Sequence, residues 1–428
     1  MKNSGIEWIG EIPKHWTYSK LKYELISCDG GIWGNDPIED SVQNKIVIRS
    51  TEQTVDGKWC IVKPAQRDLN GINNLHAFKI LKGDLLMTKS SGSALHIGKT
   101  SLADNYFLEN ECYYSNFIQR IRTKAFPKYI WYILNSPLSR EQFVYLQNST
   151  SGIGNINAEN ICNIFIPVPN HAEQKNIVAT LDEKCGKIDE WIANQEKQIE
   201  KLKVYKQSVI TEAVTKGLDK TAPLKDSGIL HIGQIPLHWR VKKHKHVFKK
   251  EKILCEKYAG EDILSLTMNG VIVRDLDNPM GKMPTTFDGY QYVKEGNLLL
   301  CLFDIDVTPR CVGVIKNNGL TSPAYSQYRI ISGDNVNYFY YLLLALDFKK
   351  DLLYLSKNLR SSLSDENFGL IETIIPPSQE QQQIVDYLDE KCEKIDQLIA
   401  IKQEKIEKLQ EYKKSLIYEY VTGKKEVV

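Results

Sequence analysis

The sequence predicts an α+β fold: two pseudo-repeated globular α/β regions separated by a long antiparallel two-helix coiled coil. Three observations carry this. The stretch Glu173–Thr215 returns at Glu380–Thr422, offset by 207, with 25 of its 43 positions identical. A 13-residue motif, Ser4–Trp16, returns at Ser227–Trp239 with nine positions identical. Between motif and long stretch, each half carries a region of about 150 residues in which short apolar runs alternate with Gly, Asn and Asp turns.

The long stretches read as helices, since neither contains Pro and the one Gly, Gly186, sits near a start. In the first, apolar residues fall at Cys185, Ile188, Ile192, Ile199, Leu202, Val209 and Ala213. In the second they fall at Cys392, Ile395, Ile399, Ile406, Leu409, Leu416 and Tyr420. Both series follow an a/d heptad seam. Its polar breaks coincide, Gln195 with Lys402 and Lys206 with Lys413, which favours two helices packed together over two separate surface helices. Only about a dozen residues join Thr215 to Ser227, so the second helix is expected to run back along the first, with one globular region at each end. At about 1.5 Å per residue the rod would be roughly 65 Å long.

Composition bounds the function. Net charge is +2, so DNA or RNA binding has to rest on local basic patches. The nine Cys are scattered, odd in number and free of Cys-x-x-Cys, which fits reduced thiols in a cytoplasmic protein and no zinc ribbon. The longest apolar run, Tyr338–Leu346, is far short of a membrane span and reads as a core helix.

Taken in order, the opening motif reads as an extended arm docking by its Trp. The runs Lys45–Ile48, Trp59–Val62, Asp84–Met87 and Phe117–Ile121 read as strands, Lys128–Leu134 as a helix, with more helix after Pro137. In the second half, Gly296–Leu299 echoes Gly83–Leu86 and Tyr338–Leu343 echoes Tyr129–Leu134, while the polar stretches between them differ. One scaffold therefore carries two loop sets. Pro167/Pro169 and Pro376/Pro377 break the chain before each long helix.

The layout resembles the specificity (S) subunit of type I restriction–modification systems along essentially the whole chain. The motif Ser4–Trp16 carries the resemblance, with Ile166-Pro167-Val168-Pro169, Glu173-Gln174 and the run Ile177–Asp189. Second copies stand at Ile375-Pro376-Pro377, Glu380-Gln381 and Ile384–Asp396. The resemblance implies target recognition domains at 1–160 and 223–370, spacer helices at 161–222 and 371–428, and a chain without a catalytic centre or cofactor. Each recognition domain would read one half of a bipartite site in double-stranded DNA. The helices would set the gap and dock modification (methyltransferase) subunits, two of them, with restriction (motor/endonuclease) subunits as further partners. One departure is local: Ser151-Gly152-Ile153-Gly154-Asn155 is a family-like glycine turn, whereas the second half has Leu359-Arg360-Ser361-Ser362-Leu363.

Candidate DNA contacts follow from donor chemistry. Arg with Gln or Asn suits base edges, and Lys with Ser or Thr suits phosphates. In the first region these are Lys89, Ser91, Ser93, His96, Lys99, Thr100, Asn116, Gln119, Arg120, Arg122, Ser151 and Asn155. In the second they are Arg310, Lys316, Asn317, Ser326, Gln327, Arg329 and Arg360. The basic run from Arg240 to Lys252 is either a phosphate track or an ordinary solvated surface.

Three motifs invite enzymatic readings that fail on spacing or on residue type. Gly92–Thr100 has five residues between its glycines where a phosphate loop needs four. His244-Lys245-His246 lacks a Cys or carboxylate at metal-ligand spacing and reads as a solvated basic face. Ile375-Pro376-Pro377-Ser378 lacks the amide and the aromatic residue of a methyltransferase turn. The competing reading from another class is a coiled-coil scaffold joining two protein-binding domains.

Overall fold

A computed structural model of the chain describes residues 1–428 other than 40, 42–43, 94–95, 147, 151–152, 279–282, 356–360 and 428. It divides into two compact units, 1–195 with 404–428, and 196–403. Each unit holds one globular region and a stretch of both long helices, His171–Lys216 and Ser378–Val421.

In the first unit, the opening motif folds into a tight turn. The Ser4 amide and hydroxyl both donate to the Gly10 carbonyl, at 3.0 and 2.6 Å. The chain then pairs Thr17–Lys20 with Phe165–Val168. The central sheet is antiparallel, in the order Leu25–Gly30, Ile118–Thr123, Leu85–Thr88, Thr100–Leu102. A second sheet joins Cys112–Tyr114, Asn44–Ile48 and Ala65–Asp68. Helices Pro127–Asn135 and Pro137–Leu146 follow, each opened by a Pro whose missing N–H costs nothing at a helix start. The core gathers Ile9, Ile12, Trp16, Leu85, Ile121, Ile130 and Ile133 with Leu181, Cys185, Ile188, Leu416 and Tyr420 of the long helices.

The expected strand at Trp59–Val62 is corrected. Only an isolated bridge forms, between Gln53 and Trp59. Trp59 serves as an anchor, its indole N–H donating to the Leu102 carbonyl at 2.7 Å and its ring lying 5.0 Å from Phe107, while Val62 is exposed. The apolar run thus secures a loop by one side chain and does not build a ladder.

The second unit repeats the plan. Ser227 bonds Gly233 as Ser4 bonds Gly10. Arg240–Lys243 pairs with Glu372–Ile375. The central sheet keeps the same order, Phe248–Glu251, Ser326–Ile330, Leu298–Leu300, Val312–Val314. Tyr338–Leu346 lies in the buried helix Val336–Phe348, where all but one of those nine residues are core. A hairpin, Leu264–Thr267 with Gly270–Val273, belongs to this half.

Within each unit the two long helices run antiparallel. In the first, Lys413 of the second helix pairs with Asp189 of the first; in the other, Lys206 of the first pairs with Asp396 of the second. Every seam position is at least half-buried: Ile188, Ile192, Ile199, Leu202 and Val209 in one helix, Ile395, Ile399, Ile406, Leu409 and Leu416 in the other. Both helices end at a left-handed glycine. A Cβ on Gly217 would lie 2.8 Å from Glu380 Oε1, and one on Gly423 would lie 2.5 Å from Pro13. Glycine is therefore required twice over at each stop.

The duplicated residues outside the seam also do duplicated work. The Trp16 and Trp239 indoles donate to Glu173 and Glu380 at 3.1 and 3.0 Å, in the first turn of each long helix. His15 and His238 reach the same carboxylates at 2.7 and 2.8 Å. Gln174 and Gln381 accept from the amides of Phe126 and Asn335, the N-cap residues of the core helices, at 3.0 and 2.8 Å. Tyr132 and Tyr341 donate to Asp182 and Asp389 at 2.7 and 2.6 Å.

Candidate nucleic-acid interface

In the first unit the segment after Leu85–Thr88 forms one edge of the region. The Lys89 amide donates to the Phe117 carbonyl at 3.0 Å, and the Lys89 carbonyl accepts from Ile156 at 2.8 Å. Strand Ser90–Ser91 pairs with Ile153–Asn155, which pairs with Asn148–Thr150. These ladders bring Lys89, Ser91, Asn116 and Asn155 to one edge. Asn116, Asn155 and the neighbouring Phe117 are exposed, and Lys89, Ser91, Ser93 and His96 are half-buried. Among the described residues the His96 Nδ1 has no hydrogen-bond partner. Ser151 lies outside the described residues.

Four candidates of this half belong to the interior instead, and a fifth, the half-buried Arg122, is taken up by a carboxylate. Lys99 is buried, and its ammonium donates to the Ser50 and Gln53 carbonyls at 2.6 and 2.7 Å. Burial lowers its pKa. Thr100 and Gln119 are buried in the sheet. Arg120 is buried too, donating to the Ala77 and Lys79 carbonyls and, at 2.7 Å, to Asp29. Burial works against the Asp29 carboxylate, but Ser27 and Arg120 outweigh it and hold the pKa below the usual range. Arg122 grips the buried Asp84 with two bonds of 2.7 and 2.8 Å. Lys99, Arg120 and Arg122 direct their donors to this chain's own carbonyls and carboxylates.

The second unit sorts the same way. Gln327 is buried, accepting from the Lys294 amide and Asn297 and donating to the Tyr292 carbonyl. Ser326 is buried beside Asp365. Arg329 donates to Glu251 at 2.8 Å. Lys316 and Asn317 are exposed, and Arg310 is half-buried. Arg360 lies outside the described residues.

His244 also differs from expectation. It is 1% exposed, with its ring 4.8 and 4.5 Å from Phe248 and Phe368. Burial pushes its pKa down to about 3. His246 is exposed, and in the basic run Arg240, Lys243, Lys245, Lys249 and Lys252 are exposed while Lys250 pairs with Asp365. Among the described residues no group of three His, Cys, Asp or Glu could hold a metal ion.

Sequence reasoning missed a cleft of ≈ 260 Å³ beside Arg310, between the 264–273 hairpin and the 301–311 segment. The signal was there: Asn269-Gly270 is a hairpin turn pair standing between β-branched and apolar residues.

Comparison with known proteins fits this arrangement. The family model described as the type I restriction modification DNA specificity domain matches residues 39–203 and 312–411. The chain belongs to that family. This specificity subunit is 25% identical over 436 residues to a Methanocaldococcus jannaschii protein, assigned provisionally as the MjaX specificity subunit, covering 97% of this chain and 95% of that one. It is 28% identical over 317 residues to the MjaVIII specificity subunit of the same organism, covering 68% and 69%. A solved chain from work on assembly and conformational transition of the type I R-M system superposes with a TM-score of 0.68, at 14% identity, over 96% and 98% of the two chains. The specificity subunit is the DNA-recognition member of its system and not a catalytic one. Among the described residues, no helix is long and apolar enough to cross a membrane.

Proposed function

We propose that this chain gives a type I restriction–modification complex its sequence specificity, each globular region reading one half of a bipartite site in double-stranded DNA. One observation carries the reading. The two halves share sheet order, Trp–Glu dock and Tyr–Asp pair, yet differ in the segments that edge the sheets. A repeated frame with unlike edges suits two independent readings. The recognition domains are 1–160 and 223–370, and 161–222 and 371–428 act as the spacer that sets the gap. Contacts in the first half-site come from Lys89, Ser91, Ser93, His96, Asn116 and Asn155, with Ser151. Those in the second come from Arg310, Lys316 and Asn317, with Arg360.

The helices dock two modification subunits. Exposed Trp191 and Tyr412 in one unit match exposed Leu398 and Tyr205 in the other under the 207-residue offset. Aromatic residues such as Trp191, Tyr205 and Tyr412 are enriched at protein interfaces, and their repetition in both units supports the docking role. Restriction subunits join the same assembly, which works in the cytoplasm.

The test replaces residues 17–156 by the equivalent segment of another family member and maps the methylated motif in cells carrying the modification subunits. One half-site should change and the other persist. A change in both, or in neither, would sink the modular reading.

A further inference from the structure

We infer that Arg310 reads a guanine in the half-site of the second globular region. This rests on the DNA-reading function proposed above.

Position comes first. The 301–311 segment follows central strand Leu298–Leu300, as the Lys89 segment follows Leu85–Thr88. The Leu302 carbonyl accepts from Leu363 at 2.7 Å, as Lys89 accepts from Ile156 at 2.8 Å. Arg310 therefore stands on the counterpart of the exposed edge in the first half. It forms a wall of the cleft with Thr267, Met268, Phe303, Thr308 and Tyr325. The Phe303 and Tyr325 rings lie 6.0 Å apart at 31°, and Met268 is 57% exposed at the hairpin tip.

Charge comes second. Arg120, Arg122 and Arg329 are each neutralised by a carboxylate. Among the described residues Arg310 has no ion pair, and its one hydrogen bond, to the Tyr340 hydroxyl, is long at 3.4 Å. The buried Asp347 is taken by the Cys311 amide at 2.8 Å and the Lys350 ammonium at 2.7 Å. Lys350 also holds the Thr308 carbonyl at 2.6 Å. Both flanks of Arg310 are thus anchored while its own fork of donors stays available.

An unneutralised guanidinium on an anchored segment, beside two aromatic rings and Met268, suits a flat partner with two adjacent acceptors, which is the O6/N7 edge of guanine. Phosphates are served as well by mobile, solvated lysines. The rings and Met268 offer packing that a phosphate would not use.

The test expresses the full chain, wild type or R310A, with its modification subunits and maps the methylated motif. Selectivity at one guanine of the second half-site should fall roughly 5- to 150-fold. R310K should fall similarly, since it keeps the charge and loses the fork. Unchanged letters in the first half-site report an intact fold. An unaltered second half-site, or full selectivity in R310K, would overturn the inference. So would a uniform loss of affinity with the salt slope reduced by about 1, the mark of a phosphate contact. A wild-type complex that methylates no bipartite motif would overturn the proposed function itself, and this inference with it.

Discussion

Lys413 donates to Asp189 at 2.6 Å, and its counterpart Lys206 does the same to Asp396. Both lysines occupy polar breaks of an apolar seam, so each charged break carries its own partner. An unpaired lysine at such a position would be desolvated without compensation. Paired, it fixes the register, as single polar residues at seam positions do elsewhere.

The Asp189 carboxylate also accepts from Lys58 of the globular region at 3.0 Å. Burial acts against its charge, but Lys413 and Lys58 outweigh burial and hold the pKa below the ordinary value. A depressed folded-state pKa contributes stability above the unfolded value of about 3.9, and that contribution is lost as pH falls through the folded one. Asp189→Asn should cost about 0.5–1.5 kcal/mol at pH 7, the range for a partly exposed pair. Urea titrations repeated at descending pH should show wild type and variant converging below about pH 4. A gap that persists undiminished into acid would show that the charge is not what the site uses.

The Trp16–Glu173 dock ties the opening motif to the first long helix. Glu173→Ala strands a buried indole N–H and should cost about 1–3 kcal/mol. Glu173→Gln retains an acceptor and should cost less. Hydrogen exchange at Ile9 and Gly10, whose amides close the motif turn, would report its release. Protection unchanged in the alanine variant would contradict the docking role.

The repeat was legible because the long helix and the opening motif each keep one offset, 207 and 223, that survives substitution. Seam positions were legible because a heptad reports its own buried face. Recognition residues were not. Arg120 and Lys99 look like DNA contacts by type, yet they close against carbonyls of Ala77, Lys79, Ser50 and Gln53, dozens of residues away. Donor chemistry is local and acceptor geometry is not, so residue type alone cannot separate Arg310 from Arg120.

Tyr129 and Tyr338 are buried in equivalent positions. The Tyr129 hydroxyl lies 3.3 Å from the Pro167 and Val421 carbonyls, and that of Tyr338 lies 3.1 and 3.4 Å from Val214 and Ile374. Burial raises both pKa values well above the ordinary one. Tyr129→Phe and Tyr338→Phe should each cost about 1 kcal/mol, a hydrogen bond without a cavity. Ultraviolet titration should show neither phenol ionising before the protein unfolds in alkali. A variant that removes a phenol from the early, native titration would refute the burial.

His244 stands where the first half has Leu21: their amides donate to the equivalent carbonyls of Ile371 and Ile164, at 2.8 and 2.9 Å, and both side chains are buried. Among the described residues the Nδ1 of His244 makes no hydrogen bond, and burial pushes the pKa down to about 3 against a smaller opposing contribution from the Phe368 backbone. The unfolded chain takes up the proton near pH 6.5, and the folded chain holds the ring neutral. Between those values the unfolded state binds more protons, so stability falls as pH drops, by about 1.4 kcal/mol per unit for this group alone. His244→Leu installs the first half's own solution. At pH 7 it should lie within about 1.5 kcal/mol of wild type, since the swap keeps the site apolar and filled. At pH 5 the variant should have gained on the order of 2 kcal/mol relative to wild type, from roughly 1.5 units of removed proton uptake. Denaturation midpoints at pH 7 and pH 5 decide it. Equal acid sensitivity in the two proteins would mean that the His244 ring takes up its proton in the folded state, and that the aromatic box around it is open to water.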